Sequence, residues 1–261
     1  CTFTNTRKGA QVRLDKAWID AVIGDQVTLG STGGTNNPSL VAVADTTNEV
    51  DGGTEVTVFA GETLSFSELF DVGDASNYTT TLECTGSTDT DPSDGLDIVA
   101  ADDGATVVCK YTNTGLPSIN AVKSPGSVTG PTAAGIYTAT YTVEVTNSGI
   151  APTTYGPLVD VPAFDSNLTV TGASWTTSGA GAPADGTSGG PGPYTLTPAL
   201  TPIAAGATHT FNLSVTFSFI NFTAVSACGA SGSGLFNSAT LPVETSTADN
   251  DACVEPPAPP V

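Results

Sequence analysis

Residues 137–147 read Tyr-Thr-Ala-Thr-Tyr-Thr-Val-Glu-Val-Thr-Asn, an unbroken alternation of apolar and polar side chains. A period of two belongs to a strand, whose successive side chains point to opposite faces. Tyr137, Ala139, Tyr141, Val143 and Val145 are expected to point inward, with the threonines and Glu144 outward. The same rhythm returns at 12–18, 64–70, 107–113 and 211–219, and no segment carries a convincing helical period. Short strands between Gly-, Thr- and Asn-rich turns predict an all-β chain of sandwich or barrel type.

At 261 residues the chain has room for two domains of ordinary size. The strand pattern divides it into two tandem β-sandwich modules, 10–115 and 116–255, followed by a Pro-rich linker at 256–261. Residues 24–53 are expected to hold loops with short strands, and 172–193 a long flexible loop around Trp175. Residues 109–114 (Cys-Lys-Tyr-Thr-Asn-Thr) and 1–6 (Cys-Thr-Phe-Thr-Asn-Thr) share one pattern. Residues 1–9 are therefore read as the last strand of a preceding module in a repeat array. The chain contains no methionine and is expected to be part of a longer product.

Net charge is −20, with only six Lys and Arg, which argues against nucleic acid or an anionic membrane as partner. No run of 18 apolar residues exists that could span a bilayer. Of the five cysteines, 84 and 109 are 25 residues apart, and so are 228 and 253. Equal spacing, one pair per module, reads as two disulfides, Cys84–Cys109 and Cys228–Cys253, and an oxidising location. Zinc is the rival, but it lacks a Cys-x-x-Cys or paired histidines. Cys1 is the odd one, with its partner expected in a preceding module or, alternatively, as a lipid-modified N-terminus.

Three inward positions of the first module are polar: Lys16 beside Leu14 and Trp18, Glu68 between Phe66 and Phe70, and Asn113 beside Tyr111. Each alone is costly to bury, and together they can satisfy one another. The plain reading is a hydrogen-bonded polar cluster. The chemical reading starts from a lysine desolvated among aromatics, which becomes a nucleophilic amine. A glutamate in the same site can carry a proton to the asparagine amide. Attack of Lys16 on the Asn113 carbonyl then releases ammonia and leaves an amide cross-link.

The motifs Val-Arg-Leu-Asp-Lys16, Leu-Ser-Phe-Ser-Glu68 and Cys-Lys-Tyr-Thr-Asn113-Thr resemble the Cna-B/SpaA-like modules of Gram-positive surface proteins and pilins. The pair Cys84-Thr-Gly and Cys109 is similar to the actinobacterial version. The resemblance implies a transthyretin-like sandwich with a Lys16–Asn113 isopeptide bond assisted by Glu68.

The second module resembles the DUF11 repeat of bacterial surface proteins, with an Ig-like sandwich. The stretches that carry it are Tyr141-Thr-Val-Glu-Val-Thr-Asn147-Ser-Gly, Leu158-Val-Asp160-Val-Pro162, Pro202-Ile-Ala-Ala-Gly206-Ala and Asn237-Ser-Ala-Thr-Leu241. An equivalent triad is Lys123, Asp160 and Asn237, with Asp160 assisting. The plain alternative is a Lys123 at a strand end that reaches out to water.

Asp89, Asp91, Asp94 and Asp97 form an acidic loop that resembles a calcium site but lacks its terminal Glu; a solvated loop is the plainer reading. Residues 241–245, Leu-Pro-Val-Glu-Thr, have no apolar tail after them and are not read as a sortase signal. His209 is the only histidine, expected on a strand edge in a structural or solvent-exposed role. No cofactor is implied. The expected function is a stalk or fibre segment of a secreted, cell-wall-associated protein, with self-cross-linking its only chemistry. Its partners are neighbouring modules of the same chain and host or other cell surfaces. The alternative is an adhesin or carbohydrate-binding module built around Trp175; a secreted hydrolase has too little catalytic material.

Overall fold

The computed structural model describes residues 1–2, 6–197, 200–244 and 249–258. It comprises two compact units, 1–116 and 117–261. Both are β-sandwiches. The described residues contain no α-helix, only single 3-10 turns such as Ala75–Asn77 and Phe222–Ala224.

The described residues of the first unit form nine strands: β1 (Gly9–Ile19), β2 (Gln26–Thr32), β3 (Leu40–Val43), β4 (Glu49–Gly52), β5 (Val56–Phe59), β6 (Glu62–Val72), β7 (Tyr78–Thr85), β8 (Leu96–Ile98) and β9 (Thr106–Gly115). One sheet runs β4-β1-β9-β7, with β5 on the other half of β1's edge; the second runs β3-β2-β6-β8. β1 and β9 are parallel, from Gln11 opposite Thr106 to Ile19 opposite Thr114. On β1 the expected inward residues Val12, Leu14, Lys16 and Trp18 are all buried, but the alternation stops at Leu14, because Asp15 and Ala17 are buried as well. Trp18, Phe70 and Tyr78 meet ring to ring, with Phe70 and Tyr78 stacked at 5.5 Å. Burying each such side chain is worth about 1.5–3 kcal/mol, enough to fix the strand's register. Between β5 and β6 the chain turns at Gly61, whose φ of +90° suits glycine.

The described residues of the second unit form eleven: β10 (Ile119–Thr129), β11 (Tyr137–Asn147), β12 (Thr153–Tyr155), β13 (Leu158–Pro162), β14 (Leu168–Ser178), β15 (Gly186–Gly189), β16 (Tyr194–Thr197), β17 (Thr201–Ile203), β18 (Thr208–Phe219), β19 (Leu235–Thr240) and β20 (Asp251–Val254). One sheet is β10-β11-β18-β14-β15 and another β16-β13-β19-β20, with β12 and β17 forming a small pair. Tyr141, Val143, Phe211, Val215, Phe217, Tyr194 and Leu235 belong to one continuous core.

Two expectations are corrected. Residues 172–193 are not a long loop: they supply most of β14 and all of β15, paired Gly172–Gly189 through Trp175–Gly186. The small residues there mark close strand approach. A Cβ on Gly186 would stand 2.2 Å from Cζ2 of Trp175, so only glycine fits beside the indole. His209 is not at a strand edge: it is fully buried on β18, between β11 and β14. The Tyr155 hydroxyl pairs with its Nδ1 at 2.8 Å and the Ala180 carbonyl with its Nε2 at 3.0 Å.

Candidate functional site

In the first unit, β1 carries Lys16, β9 carries Asn113, and β6 of the facing sheet carries Glu68. Lys16 and Asn113 are 0% exposed, and the Glu68 side chain 8%. Lys16 Nζ lies 2.8 Å from Glu68 Oε1, off the direction of a good hydrogen bond, and 4.3 Å from the Trp18 ring centroid. Asn113 Nδ2 donates to the same Oε1 at 3.1 Å. The Thr80 hydroxyl donates to Asn113 Oδ1 at 2.9 Å. Burial pulls the Lys16 amine down to about 8, opposed by Glu68.

The second unit repeats the arrangement with a shorter acid. Lys123 on β10 pairs with Asp160 Oδ1 on β13, and both side chains are fully buried. Asn237 on β19 donates from Nδ2 to Asp160 Oδ2 at 3.2 Å. The Tyr141 ring lies 5.2 Å from Lys123 Nζ. Burial lowers the Lys123 amine and raises the Asp160 carboxyl, so desolvation drives the pair toward its uncharged form. Asn237 Oδ1 is buried without a hydrogen-bond donor among the described residues.

Sequence reasoning therefore placed six residues that the fold gathers into two clusters of three. One detail differs from expectation: each lysine meets the acid, not the asparagine. The buried pair of the second unit is Lys123–Asp160, and the carboxylate bridges lysine and amide through its two oxygens. The plain reading of Lys123 as a lysine reaching for water does not hold, because its side chain is 0% exposed. Chemically, a desolvated amine, a carboxyl group and a primary amide bonded to it are the kinds of group that a transamidation uses as nucleophile, proton carrier and acyl donor.

Both disulfides form as expected. Cys84–Cys109 joins directly opposed residues of β7 and β9, and Cys228–Cys253 ties the segment before β19 to β20. Cys1 is free and exposed, while Asn5, the corresponding asparagine, lies outside the described residues. Two disulfides fit an all-β protein of an extracellular compartment.

Two carboxylates of the acidic loop, those of Asp89 and Asp91, accept from the loop's own backbone. Asp89 accepts from the N–H groups of Asp91 and Asp97, and Asp91 from that of Ser93. Asp97 also accepts from the Thr63 hydroxyl. Among the described residues no group of three or more His, Cys, Asp or Glu is placed to hold a metal ion, with Asp94 included. Trp175 is a core residue, 8% exposed, and also lines a cleft with Ser174, Asp185, Thr187, Asn212 and Ser214. Glu244 accepts from the Ala121 N–H and from Asn250 Nδ2, a structural anchor; Thr245 lies outside the described residues.

What periodicity alone missed is Thr80. It sits opposite Asn113 across β7 and β9, and only the pairing register reveals that neighbour. No helix among the described residues is long and apolar enough to cross a membrane. No protein-family model matches the chain, and no curated protein matches it.

Proposed function

We propose that the chain is a stalk or fibre segment of a secreted bacterial surface protein, with each unit locked by a self-formed Lys–Asn isopeptide bond as well as a disulfide. The carrying observation is the pair of buried lysine–acid–asparagine clusters. Two unrelated strand patterns deliver the same three chemistries to one point inside two separate cores. A polar cluster kept only for packing has no need of that repetition, since buried ion pairs seldom stabilise more than apolar residues of similar volume.

The Lys16, Glu68 and Asn113 motifs support a Cna-B/SpaA-like identity for the first unit. The four stretches around Tyr141, Asp160, Gly206 and Asn237 support a DUF11-like identity for the second. Both resemblances lie with Gram-positive, actinobacterial-type surface proteins. In this reading the partners are neighbouring modules of the same protein, and the segment holds a distal part at a host or other cell surface. Cross-linking within each unit is its only chemistry.

The energetics suit a mechanical part. A tie between residues 16 and 113 removes unfolded-chain entropy worth about 4–5 kcal/mol by the loop-closure estimate used for disulfides. The test is intact mass under reducing conditions. Each bond loses one ammonia, about 17 Da, as a covalent modification of the chain. Two losses are expected; a mass equal to the bare sequence overturns the reading.

A further inference from the structure

Each acceptor asparagine lies on a strand paired on both sides, with Trp18 on β1 beside Asn113 and Pro162 on β13 beside Asn237 on the inner side, and one residue opposite it on the edge strand. Asn113 on β9 faces Thr80 on β7, and Asn237 on β19 faces Ala252 on β20. Opposed residues of an antiparallel pair share a face, with Cβ atoms about 4.5–5.5 Å apart, so the partner can reach the amide. Thr80 does: its hydroxyl donates to Asn113 Oδ1 at 2.9 Å. Ala252 has no donor to offer, and Asn237 Oδ1 is buried without one among the described residues.

We propose that the Thr80 hydroxyl is a catalytic hydrogen-bond donor for the first unit's cross-link, and that Ala252 leaves the second unit without this assistance. The proposal rests on the cross-link reading above and adds what sets the rate in each unit. The neutral Lys16 amine attacks Cγ of Asn113, forming a C–N bond while the carbonyl π-pair moves onto Oδ1. Thr80 stabilises that developing oxyanion. Glu68, within reach of both nitrogens, takes a proton from Nζ and delivers one to Nδ2. The Cγ–Nδ2 bond breaks, ammonia departs, and Oδ1 returns to a carbonyl. Amine plus primary amide give secondary amide plus ammonia, with no oxidant or co-reactant.

The whole chain, recovered unfolded from inclusion bodies, is refolded at pH 8 with a glutathione redox couple and quenched in acid at timed points. Digestion and mass spectrometry then quantify each Lys–Asn peptide and each disulfide. Thr80→Val is expected to form the first cross-link at least about tenfold more slowly, a modest share of what removing a buried oxyanion donor costs enzymes. Thr80→Ser is expected to restore the rate, and neither variant to slow Cys84–Cys109 formation. Equal rates for wild type and Thr80→Val overturn the proposal and leave the cross-link reading standing. A wild-type chain that keeps both ammonias overturns both. Should Thr80→Val slow the disulfide as well, the converse variant decides. Ala252→Ser must then accelerate the second unit's cross-link, and an unchanged rate overturns the proposal.

Discussion

Lys16 and Asn113 meet on a single atom. Oε1 of Glu68 lies 2.8 Å from the lysine Nζ and accepts from the asparagine Nδ2 at 3.1 Å. The two nitrogens that exchange places in the proposed reaction thus share one oxygen able to pass a proton between them. In the second unit Asp160 spreads the task over two oxygens, one for Lys123 and one for Asn237. In either cluster the acid is the group that touches both nitrogens.

Replacing that carrier isolates its role. Glu68→Gln keeps the size and an oxygen but cannot relay a proton. It is expected to slow cross-linking of the first unit at least about 100-fold, within the range of general acid–base catalysis. Asp160→Asn should do the same in the second unit alone. Intact mass at fixed refolding times reads both; unchanged ammonia loss in Glu68→Gln would remove the acid from the mechanism.

The pH profile follows from the lysine. Burial lowers the Lys16 amine to about 8, so its reactive neutral form grows as pH rises toward that value. Initial cross-linking rates should climb steeply from pH 6 to 8, about tenfold per pH unit at the low end, and flatten above. A flat profile over pH 6–8 argues that amine deprotonation is not required.

Acid should weaken the first unit through Glu62. The Thr35 hydroxyl, then the Phe59 N–H and Arg7, hold its carboxyl down at about 2. A folded value below the unfolded 4.5 means stability that is present above the unfolded value and lost as pH falls toward 2. Glu62→Gln should flatten that acid limb. Urea midpoints at pH 7 and pH 3, followed by Trp18 fluorescence, measure the difference.

The second disulfide closes a 25-residue separation. On the loop-closure estimate, Cys228→Ser with Cys253→Ser should cost the second unit about 3–3.5 kcal/mol. Equilibrium urea unfolding gives the value directly; a change below about 1 kcal/mol would place the tie where the unfolded chain is already restricted.

Gly186 is held to glycine by the indole opposite. With a Cβ meeting Trp175 Cζ2 at 2.2 Å, Gly186→Ala must displace the ring or part β14 from β15. A loss of about 1–3 kcal/mol is expected, with a changed near-ultraviolet tryptophan signal. Wild-type stability in this variant would mean that the edge strand yields freely.

How much of this was readable in the sequence depends on where each residue's neighbours come from. Lys16, Glu68, Asn113, Lys123, Asp160 and Asn237 interrupt period-two patterns, so each advertises an inward polar group within its own strand. The burial of Lys16 and Asn113 and the pairing of Cys84 with Cys109 agree with those patterns. Thr80 was invisible for the opposite reason. A threonine in Thr79-Thr80-Thr81 is ordinary strand composition, and only the β7–β9 register sets it against Asn113. Around Trp175 composition misled, because glycine and serine serve both flexible loops and tightly approached strands. His209 was misplaced because a single residue carries no period, and its partners Tyr155 and Ala180 come from distant segments.

The parallel course of β1 beside β9 has a mechanical consequence. The chain enters the first unit at the Gly9 end of that pair and leaves at the Gly115 end, so the two exits lie at opposite poles. A pull along the chain therefore shears the whole ladder from Gln11–Thr106 to Ile19–Thr114 at once instead of unzipping it rung by rung. A covalent strut from Lys16 to Asn113 would cross the same seam near its far end. Force would then pass from β1 to β9 within a few residues, leaving roughly 330 Å of intervening contour out of the load path. A segment built this way would transmit tension as a short, nearly inextensible link.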